Sequence, residues 1–80
     1  MEELRSCANR AVGTKAVLRA LAAGTAVRVY VATDSDTFLY QKVVRAVEAA
    51  GVRLVKVESG KELGRACGMT IGSAAAAMLR

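Results

Sequence analysis

Val27-Arg28-Val29-Tyr30-Val31, then Thr33-Asp34-Ser35-Asp36, then a stretch from Thr37 to Gly51, then Val52 to Val57, is the part of the chain that decides the fold. The first segment alternates at period two and is rich in β-branched residues, which predicts a strand running to about Thr33. The polar Thr33–Asp36 cluster interrupts it. From Thr37 to Ala50, Leu39, Val43, Val47 and Ala50 recur at i, i+4, i+8 and i+11, which predicts an amphipathic helix closed by Gly51. Val52–Val57 is a second strand. Strand, helix and strand in succession need helices laid on a sheet, and the flanking sequence extends the same alternation.

Upstream, Glu3 to Asn9 is expected to form a short helix with Leu4 and Cys7 on one face. Gly13 breaks that pattern. Thr14 is placed to cap a helix from Lys15 to about Ala23, with Val17, Leu18 and Leu21 inward and Arg19 outward. Gly24 stands where a left-handed residue ends a helix. Downstream, Ser59-Gly60-Lys61-Glu62 has the form of a capping box opening a helix that ends near Cys67-Gly68. Ser73 to Leu79 is small and apolar. Alanine propensity reads it as helix, whereas its length and place after a turn favour a buried strand. The expected architecture is a single α/β domain over residues 1–80, a sandwich in which alanines let helices lie close to a sheet.

Composition limits the chemistry. Eighty residues make one domain, and a chain of this size buries only roughly 60–65% of its unfolded surface. Of the 54% apolar residues, sixteen side chains are alanine, so the core is thin. The absence of His removes Ser-His-Asp and Cys-His catalysis and His-containing zinc sites. Cys7 and Cys67 are too far apart in sequence for a CxxC motif and too few for a thiolate metal site. Spacing leaves a disulfide between them open. No secretory apolar segment precedes them, so a reducing cytoplasm is expected, with both acting as small hydrophobes. The apolar runs fall short of the roughly 20 residues of a membrane span. Twelve Lys and Arg against seven Asp and Glu give a net charge of +5, which biases partners toward polyanions.

Several motifs resemble chemistry without completing it. Gly13-Thr14-Lys15 resembles the tail of a phosphate loop, but Ala8 and Ala16 stand where its remaining Gly and Ser/Thr belong. The physics of the fragment survives, since a glycine admits close backbone approach and a helix start offers free N–H groups to an anion. Asp34 and Asp36 lack a third metal ligand and are expected to cap the following helix. Gly64, Gly68 and Gly72 are spaced by four. Gly64 is expected to permit close packing of its helix, Gly68 to end it and Gly72 to shape a turn. Arg10, Lys15, Arg19, Lys61 and Arg65 flank two helix starts. Lys15 and Arg19 share one helical face, as do Lys61 and Arg65, so side-by-side helices would line one surface with four cations. Tyr30, Phe38 and Tyr40 are too few for a stacking platform on a sheet.

Ala11-Val12-Gly13-Thr14-Lys15, Ala20-Leu21, Gly24, Val29–Ala32, Asp34, Glu58-Ser59 and Lys61-Glu62-Leu63-Gly64-Arg65-Ala66-Cys67-Gly68 together resemble the L-seven-Ae/L-thirty-e family of RNA-binding ribosomal proteins, closest to its short bacterial YbxF-like type. The register holds from about residue 4 to residue 80. The resemblance implies a three-layer α-β-α sandwich around a mixed four-stranded sheet. It also implies binding to kink-turns, RNA helices bent sharply at a bulge beside tandem sheared G·A pairs. In such a complex Gly13, Thr14, Lys15 and Ala16, with Arg19 one turn on, would enter the widened groove. Met69, Thr70, Ile71 and Gly72 would pack on the flipped bulge nucleotides, with Lys61 and Arg65 facing phosphates. Archaeal and eukaryotic members carry Asn-Glu where this chain has Lys15-Ala16, so base readout there would fall to Lys15 and backbone groups.

The expected function is therefore a non-enzymatic RNA-binding protein, monomeric, needing no cofactor or metal. Its RNA would be a kink-turn in ribosomal RNA or a riboswitch, with the ribosome as a further partner. A protein-interaction module of a ribonucleoprotein particle is the alternative, with Met69–Ile71 contacting protein. A small enzyme using Asp34 and Asp36 with Mg²⁺ is a third reading, which lacks a visible general base beyond those carboxylates.

Overall fold

The computed structural model describes residues 2–80. Its elements alternate along the chain: α1 (Glu2–Ser6), β1 (Arg10–Val12), α2 (Thr14–Ala23), β2 (Ala26–Ala32), α3 (Thr37–Ala50), β3 (Arg53–Val57), α4 (Gly60–Ala66) and β4 (Ala75–Leu79). The sheet order is β1-β4-β2-β3. Strands β2 and β3 are parallel, whereas β4 runs antiparallel to both β1 and β2. The sheet is thus mixed and four-stranded, and it carries helices on both faces.

Alternation along the strands divides the interior into two cores. Val29 and Val31 of β2 and Ala75 and Ala77 of β4 pack under Val17, Ala20 and Leu21 of α2 and Val43 and Val47 of α3. On the other face, Tyr30, Ala32, Val57 and Ala76 pack under Leu4 of α1, Leu63 and Ala66 of α4, and Cys67 at its C-cap. Strand β4 lies inside the sheet, and Ala75, Ala76 and Ala77 are fully buried. Their small side chains let both helical layers approach the sheet.

The segment Val27–Val57 folds as its periodicity predicts, and α3 occupies Thr37–Ala50 as expected. Ser73–Leu79 resolves to strand, from Ala75 onward. Strand β1 has no counterpart among the elements expected from periodicity, because three residues are too short to display one. The first helix is shorter than expected, and Cys7 lies beyond its end.

Local chemistry corrects three further expectations. Thr14 does not cap α2. Gly13 occupies the cap position at φ 95°, with no side-chain hydrogen bond. Its N–H donates to the Ala75 carbonyl at 2.8 Å, so the chain stays tied to β4 until the helix begins, and the turn requires a positive φ that glycine adopts. Asp36 caps α3 by accepting from the N–H groups of Phe38 and Leu39, but Asp34 does not join it. Its Oδ1 reaches across and accepts from Gly60 N–H at 2.9 Å, at the start of α4. Arg10 is a framework residue. Its guanidinium donates to the carbonyls of Leu4, Arg5 and Cys7 at the C-terminal end of α1 and to that of Cys67 just after α4. One cation therefore closes the C-terminal ends of two helices, where the dipole favours positive charge.

The two cysteines are free thiols. Cys67 is buried, and burial pushes its thiol up, with Arg10 pulling less strongly the other way. It stays protonated and packs as a small hydrophobe. Among the described residues no helix is long and apolar enough to cross a membrane.

The central strand has no room for larger side chains. Ala76→Leu would force the α1/α4 layer off the sheet and should destabilise the fold by about 1–3 kcal/mol. Urea unfolding followed by circular dichroism measures this. A midpoint unchanged from wild type would show that the layer yields without cost.

Candidate nucleic-acid interface

Three strands end and one begins along the same edge of the sheet. Val12 pairs with Ala76, Val31 with Ala75, and Ala32 with Val57. Consequently α2, α3 and α4, which follow β1, β2 and β3, all start at this edge. A run of backbone hydrogen bonds fixes the junctions to one another. Gly13 N–H donates to Ala75, Ala32 N–H to Ala74 at 2.8 Å, Thr33 N–H to Val57 at 2.7 Å, and Ser73 N–H to the Gly60 carbonyl at 2.9 Å. Asp34 adds the side-chain bridge to Gly60.

The three helix starts differ in what remains free. Asp36 caps α3, and the Ser59 hydroxyl oxygen accepts from Glu62 N–H at 3.4 Å on α4, forming that half of the expected capping box. The start of α2 has no side-chain cap. Its first helical bond is made by Val17 N–H onto the Gly13 carbonyl, so the amides of Thr14, Lys15 and Ala16 precede the helical ladder. A Cβ built on Gly13 would meet nothing within 4 Å, which leaves that side of the turn open to a ligand. Free amides and the positive end of a helix dipole suit an anion. Lys15 and Arg19 are both exposed beside them.

The four cations do not line one surface of adjacent helices. Helices α2 and α4 lie on opposite faces of the sheet, each in its own core. Lys15 and Lys61 both lie toward the shared edge because each stands in the first turn of its helix, whereas Arg19 and Arg65 lie one turn further along helices on opposite faces. All four side chains are exposed. The single ion pair among the described residues, Arg28 with Glu3, involves neither edge nor these cations. Strand β2 places Arg28 near its other end, opposite Arg53 of β3.

The segment Met69–Ser73 is seated on α4 through glycine. A Cβ on Gly64 would collide with the Ile71 carbonyl oxygen and lie 3.1 Å from Gly72 Cα. A Cβ on Gly60 would sit 2.9 Å from the Ser73 carbonyl oxygen, whereas one on Gly72 would reach only ordinary contact, 3.4 Å, with Gly60 and Lys61. Gly60 and Gly64 thus let two backbones come into contact. The side chains of the loop divide between two roles. Gly68 is left-handed, and Met69 N–H returns to the Gly64 carbonyl at 2.9 Å, which turns Met69 against the second core. Met69 is therefore half-buried. Thr70 and Gly72 are exposed, and Ile71 is 67% exposed. Gly13, Thr14 and Ala16 are half-buried at the edge.

Phe38 was not among the expected site residues, although it is 71% exposed in the first turn of α3. The sequence signal was there. The core face of α3 is formed by Tyr40, Val43 and Val47, whereas Leu39 is half-buried outside both cores and Ala50 is exposed, and this leaves Phe38 on the outer side of the helix. The other two aromatics are absorbed by the fold, Tyr30 being buried and Tyr40 half-buried.

A methyl at Gly64 would ordinarily favour a helix by about 1 kcal/mol. Here it meets backbone, so Gly64→Ala should instead destabilise, by about 1–3 kcal/mol, and displace residues 70–72. Chemical unfolding together with amide chemical shifts of Thr70–Gly72 tests this. A stabilised variant with unmoved shifts would mean that the loop does not rest on α4.

Comparisons with known proteins agree with this architecture. The model of the Ribosomal protein L7Ae/L30e/S12e/Gadd45 family matches residues 4–80. An RNA-binding protein of Geobacillus sp. (strain WCH70) is 42% identical over 79 residues, covering 99% of this chain and 96% of that protein. RNA-binding protein YbxF of Geobacillus stearothermophilus is 46% identical over 69 residues, covering 86% of this chain and 84% of its own length. The solved Giardia lamblia 15.5kD RNA binding protein superposes with a TM-score of 0.88 at 26% identity, covering 99% of this chain and 67% of that one. With its sheet order, its two cores and its match from Leu4 to the last residue, the chain belongs to the Ribosomal protein L7Ae/L30e/S12e/Gadd45 family.

Proposed function

We propose that this protein binds structured RNA and selects the kinked conformer of kink-turn motifs. The observation that carries the reading is the uncapped start of α2, with Lys15 and Arg19 free beside it, on the same edge as the exposed Ile71. A kinked RNA crowds phosphates and splays out unstacked bases. Free helical amides and cations match the first feature, and an apolar loop tip matches the second. Relatives described as RNA-binding proteins, the Geobacillus pair and the Giardia structure, support the same reading.

The roles follow from position. Gly13 lets the RNA backbone or a base edge approach the amides of Thr14, Lys15 and Ala16 without a side chain in the way. Lys15 and Arg19 neutralise phosphates on the α2 side, and Lys61 and Arg65 do so on the α4 side. Thr70, Ile71 and Gly72 cover the unstacked nucleotides, and Met69 holds the loop to the core. Ala16 has no hydrogen-bonding group, so specificity rests on shape and backbone contacts. Binding the kinked form better than the open one shifts the RNA toward the kink by the ratio of the two affinities. The role is binding rather than catalysis, by a monomer in the cytoplasm, and ribosomal RNA within the ribosome and riboswitches are the natural targets to test. Crosslinking in cells followed by sequencing of the bound RNA would distinguish them.

Two measurements test the reading. The protein should bind a kink-turn RNA more tightly than the same RNA with its G·A pairs replaced by Watson–Crick pairs. Equal affinity would reduce it to a generic polyanion binder. Lys15→Ala and Arg19→Ala should each weaken binding and each lower the slope of log K against log salt by about one unit. Slopes unchanged in both variants would remove these residues from the interface.

A further inference from the structure

The outer face of α3 has no role in the interface proposed so far. Phe38, Gln41, Lys42 and Arg45 recur at i, i+3, i+4 and i+7, so they form one stripe on the side of the helix opposite Tyr40, Val43 and Val47. All four are exposed, and together they line a shallow cavity of about 230 Å³. A phenylalanine so exposed contributes nothing to the core. Lys42 and Arg45 have no ion pair among the described residues. The stripe begins at the same edge as α2, and α2 and α3 lie together on one face of the sheet. Over these two helices and the cap of α3, Lys15, Arg19, Lys42 and Arg45 stand against two carboxylates, Glu48 and the capping Asp36.

We infer that the outer face of α3 is a second RNA contact, which takes an unpaired nucleotide segment adjoining the kinked motif. Phe38 offers a ring on which one base stacks, and Gln41 can donate to and accept from a base edge. Lys42 and Arg45 stand about 6 and 10 Å further along the helix axis, within reach of the phosphates that follow. An aromatic ring beside a row of cations is the combination that holds single strands, since every base has a face to stack and every nucleotide a charge. The excess of four cations over two carboxylates, one of them already engaged in capping α3, favours a polyanion over a protein surface. The contact rests on the function proposed above, because it is the kink-turn at the α2 edge that brings the adjoining segment to α3.

The test compares a blunt-ended kink-turn RNA with the same RNA carrying a short oligouridine extension on either strand. Wild-type protein should bind one extended form about tenfold more tightly than the blunt form, the gain of roughly one stacked base. Phe38→Ala should abolish that gain and leave the affinity for the blunt RNA unchanged. Lys42→Gln/Arg45→Gln should lower the salt slope by about two units on the extended RNA only. These side chains are exposed, and native circular dichroism confirms that the variants fold. The inference is overturned if neither extension adds affinity, which would leave Phe38 to a protein partner, or if the gain survives in the variants. Failure of the underlying reading shows separately, as wild-type protein that does not distinguish blunt kink-turn RNA from a plain duplex.

Discussion

Alanine on both faces of β4 is the constraint on which the rest of the structure depends. Ala75 and Ala77 face one helical layer and Ala76 the other, all without solvent exposure. A thin core of this kind gains little from any one large side chain, so close approach of backbones must supply dispersion contacts instead. The same strand anchors the proposed binding edge, because the carbonyls of Ala74 and Ala75 hold the end of β2 and the start of α2. Strand β4 is also the last element in sequence, inserted between β1 and β2. The sheet is therefore completed by pairings between distant parts of the chain, which carry a loop-closure cost before they stabilise anything.

Charge is distributed so that stability and binding make separate demands. Arg10 is used up on four carbonyls and Arg28 on Glu3, and both support the framework. Lys15, Arg19, Lys61 and Arg65 have no carboxylate partner among the described residues. At an exposed surface their mutual repulsion is weak and screened, so the free protein bears it at small cost. An incoming polyanion finds these charges unpaired and need break no ion pair to reach them.

Much of this was legible in the sequence, and the failures have physical causes. Period-two alternation at Val27–Val31 and the stripe from Leu39 to Ala50 are strong signals because each element is long enough to repeat. Arg10–Val12 is too short to repeat, and four strands were expected only through the family resemblance. Thr14 has the right chemistry for a cap, but Gly13 is held by Ala75, some sixty positions away, and that bond is invisible locally. Asp34 follows the same logic, since its partner Gly60 belongs to a different helix. Spacing along α2 and α4 told which cations share a helical face. It could not tell that the helices lie on opposite sides of the sheet, because that depends on strand order. Where Met69 and Ile71 part ways, the decision belongs to the left-handed Gly68 and the return bond to Gly64.

The loop on α4 is positioned by its main chain. The Ile71 and Ser73 carbonyls rest where Gly64 and Gly60 lack a Cβ, and the Ser73 N–H is tied to Gly60. The side chains of Thr70 and Ile71 take no part in that attachment and point to solvent. Mount and tip are thus chemically independent. Substitutions at positions 70 and 71 can change what the tip prefers to touch without moving it, whereas position 64 must stay glycine for any tip to be presented there. In the proposed complex, such a division would make the loop an exchangeable reading head, with new ligand preferences open to single substitutions that leave folding alone.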